Sequence, residues 1–139
     1  MCEYQADPMS NFAYQVKMTF VTANTCGGLI FRDATSYFAQ YYEFYICTDG
    51  SYHLAMLSPL FSGLREGFTT FNTGVGQANL VAVVANGTNL AIYINGQKIN
   101  SVTDSSFSGG KIGVVALTLS NPDSSTGEVA FNDAKIWTF

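Results

Sequence analysis

The chain has 139 residues, 47% of them hydrophobic and only 12% charged, with a net charge of −4 and a pI near 4.6. That length suits one domain with a real core, and the excess of acid excludes a sequence-independent grip on nucleic acid. No apolar run reaches the roughly eighteen residues of a membrane span, and the opening "MCEYQADPMSNF" lacks the basic and apolar regions of a signal peptide.

No window of eleven residues keeps a helical period, whereas alternation of period two recurs along the chain. Residues 12–20 set Phe12, Tyr14, Val16, Met18 and Phe20 on one side, with Ala13, Gln15, Lys17 and Thr19 on the other. Further strands read at 28–32, 41–47, 52–57, 79–85, 90–94, 97–102, 111–119 and 128–138. Residues 58–78 show no clear pattern. Short strands punctuated by thirteen glycines and by Asn, Asp and Ser clusters predict an all-β, antiparallel sandwich or barrel.

Three hairpins can be registered. "CTDGSY" admits a two-residue Asp-Gly loop or a three-residue loop with Gly50 left-handed. The longer loop pairs Ile46 with Tyr52 and Phe44 with Leu54, which gathers Tyr42, Phe44, Ile46, Tyr52, Leu54 and Met56 on one face. A one-residue slip would scatter them, so the longer loop is preferred. "ANGT" at 85–88 is read as a two-residue turn pairing Val83 with Leu90 and Val81 with Ile92. "INGQ" at 94–97 is read the same way and pairs Ile92 with Ile99. The inner face then collects Val81, Val83, Leu90, Ile92, Ile94 and Ile99.

Setting Cys26 opposite Cys47 satisfies the alternation of both their strands and brings the Cα atoms within disulfide range; the alternative is two buried thiols. A bond would imply an oxidising compartment, and the third cysteine, Cys2, would be free or paired elsewhere. The same register puts Gly28 opposite Tyr45, Ile30 opposite Glu43 and Arg32 opposite Tyr41. The outer face would then show Arg32, Tyr41, Glu43, Tyr45 and His53, with Gly28 leaving Tyr45 room to lie flat. Flat aromatics flanked by hydrogen-bonding groups suit sugar rings, although tyrosines are also common structural residues in strands. The loops at 33–40 and 58–72 would rim this face with Tyr37, Phe61, Arg65, Phe68 and Phe71.

A single histidine gives little support to a His-based metal site or a Ser-His-Asp triad. Asp33, Asp49, Asp104, Asp123 and Asp133 lie in or beside loops and could make a calcium site, but no loop has calcium-ligand spacing, so no cofactor is expected. Asn86-Gly87-Thr88 is a glycosylation sequon that the hairpin turn already explains.

"FAYQVKMTF", "GGLIFR", "IYINGQ", "GGKIGVVA" and the closing "VAFNDAKIW" together resemble the concanavalin A-like lectin/glucanase superfamily. The likeness is to laminin-G-like modules related to the 3-keto-disaccharide hydrolase type, found in bacterial extracellular proteins. The resemblance implies a jelly-roll β-sandwich over residues 1–139, with 1–10 an extension or a truncated first strand. It also implies an extracellular or cell-surface location, the leader being absent from this chain. Glucanases of the superfamily carry a cluster of carboxylates on one strand, whereas Glu43 has no second carboxylate near it in sequence. The expected function is therefore a non-catalytic module binding a polysaccharide or glycan. The alternatives are a structural or adhesive subunit self-associating through an open sheet edge and, third, a sugar-active hydrolase.

Overall fold

The computed structural model describes residues 2–119 and 127–139, with side chains from Ser10 onward. Among the described residues the regular elements are all strands: β1 (Cys2–Met9), β2 (Phe12–Phe20), β3 (Thr25–Asp33), β4 (Tyr41–Cys47), β5 (Ser51–Leu57), β6 (Phe61–Phe68), β7 (Ala78–Asn86), β8 (Asn89–Ile94), β9 (Gln97–Thr103), β10 (Gly110–Thr118) and β11 (Val129–Thr138). They form two antiparallel sheets, one ordered β1-β10-β3-β4-β5-β6 and the other β11-β2-β7-β8-β9. No helix among the described residues is long and apolar enough to cross a membrane.

The alternation read from the sequence is what builds the interior. Phe12, Tyr14, Val16, Met18 and Phe20 all point inward from β2 and are 3% exposed or less. They meet Leu29, Phe31, Tyr42, Phe44, Ile46 and Leu54 from the facing sheet, together with Val81, Val83, Leu90, Ile92 and Ile94 from β7 and β8. Each such side chain contributes about 2 kcal/mol of burial, and the aligned inner faces of two sheets supply the only place to bury them all. Phe31 stacks on Tyr42, with centroids 5.4 Å apart, and Phe107 closes on Tyr42 edge-on at 5.1 Å.

The three-residue Thr48-Asp49-Gly50 loop forms as expected, with Gly50 at φ 88° and Ile46 paired with Tyr52. Cys26 pairs with Cys47 and the two are disulfide-bonded across 21 residues. Two other registers differ from the reading. The turn after β7 is centred on Gly87-Thr88, so Val83 faces Ile92 and Val81 faces Ile94. Only Gly87 has positive φ there, so the turn needs one left-handed residue and not two. The two-residue shift keeps the same side chains inside, which is why alternation could not detect it. After the Asn95-Gly96 turn, a bulge in β9 pairs Ile92 with Asn100 and leaves Ile99 unpaired but still packed on the core.

Two strands escaped the sequence reading. Cys2–Met9 forms β1 and pairs with β10, so it supplies the edge strand for which 1–10 stood as extension or truncated strand. The side chain of Cys2 lies outside the described ones. Phe61–Phe68 forms β6, the opposite edge of that sheet, within the stretch that had no pattern. Gly63, Gly67 and a bulge between them, opposite Leu54 and Ala55, break its alternation.

Candidate functional site

The outer face of the six-stranded sheet is organised in rows across β4, β5 and β6. One row runs Tyr41, Leu57, Phe61, and another runs Gly28, Tyr45, His53, Glu66. Between them lies the row Ile30, Glu43, Ala55, Gly63. The middle row is a trough between aromatic flanks, with Glu43 and Ala55 only 5% and 0% exposed beneath them and Gly63 open to solvent at the β6 end. Period two in β4 and β5 keeps these residues in separate rows, and the β6 bulge sets Gly63 and Glu66 in register with them.

Glu43 sits in that floor with 5% exposure and no hydrogen bond among the described residues. Burial pushes its carboxyl up to about 7, because the charged form has lost its water. The Tyr45 phenol is pushed up to about 12 by burial first, and then by the negative fields of Glu43 and Glu66. Tyr41 is raised by burial, then by Glu43 and Asp33. Both phenols therefore stay protonated donors beside a carboxyl that changes charge near neutrality.

Tyr45 does not lie flat on the sheet as expected. Its ring stacks on the His53 imidazole at 4.8 Å and 17°, so one aromatic face is already used. Gly28 serves the backbone: a Cβ there would stand 1.9 Å from the Phe44 carbonyl oxygen. The His53 Nε2 lies 3.0 Å from Ser51 Oγ, and Ser51 Oγ donates to Asp49 Oδ1 at 2.5 Å. With its proton given to Asp49, the serine oxygen accepts from the imidazole N–H. That polarity is opposite to a histidine acting as base on a serine nucleophile. Glu66 Oε2 stands 3.8 Å from His53 Nδ1.

The structure therefore brings Tyr41, Glu43, Tyr45 and His53 to one face, as read from the sequence. Tyr37 is 99% exposed at the tip of the β3–β4 loop. That loop is tied by Ala34 N–H to the Gln40 carbonyl and by Thr35 N–H to Asp33. Arg32 and Arg65 are not on the outer face. Arg32 adopts φ 49°, is 1% exposed and turns to the end of the sandwich. There its guanidinium donates to the carbonyls of Ser10 at 2.6 Å and Phe107 at 3.2 Å. A single left-handed residue ends the alternation, which pattern alone does not reveal. Arg65 pairs with Leu54 after the β6 bulge and donates to the Ser101 carbonyl of β9, closing the side between the sheets. Of the loop aromatics, Phe61 and Phe68 are exposed on β6, and Phe71 packs against the core. Glu66, Ser51 and Asp49 are outer-face groups that the sequence reading did not assign. The Ser51–His53 spacing of two residues was the available signal for one of them.

No three His, Cys, Asp or Glu side chains converge as metal ligands among the described residues. Asp49 and Asp104 accept hydrogen bonds from Ser51 and Ser106 within their own turns, the usual work of such residues. Asp123 lies outside the described residues.

No protein-family model matches the sequence, and no curated protein matches it. Solved structures do. The carbohydrate-binding module CBM66 from Bacillus subtilis superposes with a TM-score of 0.78 at 18% identity, covering 94% of this chain and 77% of that one. Sheep galectin-11 gives 0.69 at 11% identity, covering 97% and 94%. The β-glucanase of Bacillus licheniformis gives 0.67 at 14% identity, covering 96% and 69%. These likenesses show the fold, a jelly-roll sandwich of two antiparallel sheets shared with binding modules and glucanases.

Proposed function

We propose that this chain is a non-catalytic, lectin-like module that holds a glycan in the trough of the six-stranded sheet. The observation that carries the reading is the trough itself, with a floor of Glu43, Ala55 and Gly63 between Tyr41–Phe61 and Tyr45–His53. A sugar ring laid over the open Gly63 end would meet aromatic carbon on its flanks and offer hydroxyls to His53 and Glu66, with Glu43 beneath them. Tyr37 would reach the ligand from the loop. The likeness in fold to a carbohydrate-binding module and a galectin supports the same reading.

Glycoside hydrolysis needs two carboxyl groups held on either side of the bond. Glu43 is fixed in the floor, but Glu66 is on the edge strand, 80% exposed and drawn to His53. That arrangement favours binding over turnover. The contacts proposed involve no metal. The Cys26–Cys47 bond fits an extracellular or cell-surface setting.

One stacking surface and a few exposed hydrogen bonds predict weak affinity, on the order of millimolar to high micromolar. A glycan array followed by titration calorimetry should find a ligand whose binding is weakened about tenfold or more by Tyr41→Ala and by Tyr45→Ala. Both variants should keep the wild-type circular dichroism. Absence of any glycan ligand, or a ligand indifferent to both substitutions, would sink the proposal.

A further inference from the structure

The outer face of the five-stranded sheet has a chemistry opposite to that of the trough. Its five strands hold Lys17, Lys98 and Lys135, three of the chain's four lysines, against one acid, Asp133 at the β11 bulge. None of the three lysines makes an ion pair among the described residues. The strands of the six-stranded sheet hold Glu3, Asp7, Asp33, Glu43 and Glu66 against Arg32, Arg65 and Lys111. A chain of net charge −4 has therefore gathered free positive charge on one face.

The same face carries an exposed ring, Trp137, and a half-buried one, Tyr93. Trp137 pairs with Ala13, which pairs with Val84. In the adjoining row Lys135 pairs with Gln15, Gln15 with Ala82, Ala82 with Tyr93, and Tyr93 with Lys98. Trp137 is 51% exposed, and the alanines between it and Tyr93 leave a groove of about 170 Å³. From β11 to β8 is three strand spacings, roughly 14 Å, so the two rings bound a groove longer than a single sugar ring. A lysine stands next to each aromatic row.

We propose that this groove is a second binding site, for an acidic polysaccharide whose sugar rings carry carboxylates. Rings of the polymer stack on Trp137 and Tyr93, and its carboxylates meet Lys17, Lys98 and Lys135. Charge complementarity selects a polyanion, and the separated rings over a small-residue floor select one with apolar ring faces. A second copy of the chain fits less well, because lysines are depleted from protein interfaces and would lose their water there. The site lies on the opposite side of the sandwich from the trough, so it stands or falls independently of the glycan proposed there.

Trp137 is the only tryptophan, so emission excited at wavelengths the eight tyrosines do not absorb reports this face alone. Titration with polygalacturonate should shift or quench the emission and shield Trp137 from acrylamide. The signal should survive Tyr45→Ala. It should disappear near 1 M NaCl, where the Debye length is about 3 Å. Lys17→Gln with Lys135→Gln should weaken it about tenfold, and these exposed or half-exposed substitutions leave the core intact, as an unchanged unfolding curve would verify. The proposal is overturned if polygalacturonate leaves the tryptophan signal unchanged, or if neutral galactan or polyglutamate acts equally well. Sedimentation showing a dimer in which Trp137 is already shielded would overturn it in favour of self-association.

Discussion

Glu43 is a carboxyl group with almost no water around it, and its consequences are local and measurable. In the unfolded chain it ionises near 4.5, whereas in the fold burial moves it to about 7. The folded state therefore binds the extra proton, and stability is greatest below the unfolded value, falls between about 4.5 and 7, and is flat above. The full penalty is on the order of 3 kcal/mol. Glu43→Gln should accordingly be more stable than the wild type by about 2–3 kcal/mol at pH 8 and no different at pH 4, read by urea unfolding. Parallel pH profiles for the two proteins would show that the carboxyl is not desolvated. Arg32 is the complementary case, a buried cation satisfied by carbonyls, with burial lowering its pKa. Arg32→Ala would strand the Ser10 and Phe107 carbonyls and leave a void, costing about 3 kcal/mol in the same measurement.

At the scale of elements, the edges and the closest strand contact matter most. β1 covers the backbone groups of β10, which would otherwise face solvent as a template for another chain. Deletion of residues 2–9 should drive concentration-dependent association in gel filtration; an unchanged monomer would mean that β10 needs no cover. β3 and β4 approach so closely at Gly28 that any side chain would strike the Phe44 carbonyl and the Tyr45 Cα. Gly28→Ala should lose about 3 kcal/mol or more and disturb the Tyr45–His53 stack, because the obstruction is backbone and cannot rotate away.

For the whole molecule, the disulfide ties the middle of the six-stranded sheet. Cys26 and Cys47 close 21 residues of chain, worth about 3 kcal/mol in the loop-entropy account. Replacing both with serine should lower stability by that order without changing the sheet content seen by circular dichroism. The division of charge between the sheets also belongs to this scale, since neither strand order nor face is visible from any one segment. It concentrates Lys17, Lys98 and Lys135 on the five-stranded face, which favours an acidic partner there.

The sequence by itself determined an antiparallel sandwich or barrel, its inner face and most of the residues that flank the trough. Alternation in β2, β4, β5, β7 and β8 put Phe12, Phe44, Leu54 and Val83 on inner faces, and pairing Cys26 with Cys47 satisfied the same alternation. Tyr41, Glu43, Tyr45 and His53 share a face for that reason. The tertiary structure decided whatever breaks the period or spans distant segments. Arg32 leaves the face at a single left-handed residue, and Arg65 leaves it at a bulge. β6, whose bulge and glycines hide its alternation, brings Glu66 and Gly63 to the trough only by pairing with β5. The Trp137–Tyr93 groove joins β11 to β8 across two intervening strands, a neighbourhood created by strand order alone. Alternation fixes which side a residue faces; only the closed sheet fixes what lies beside it.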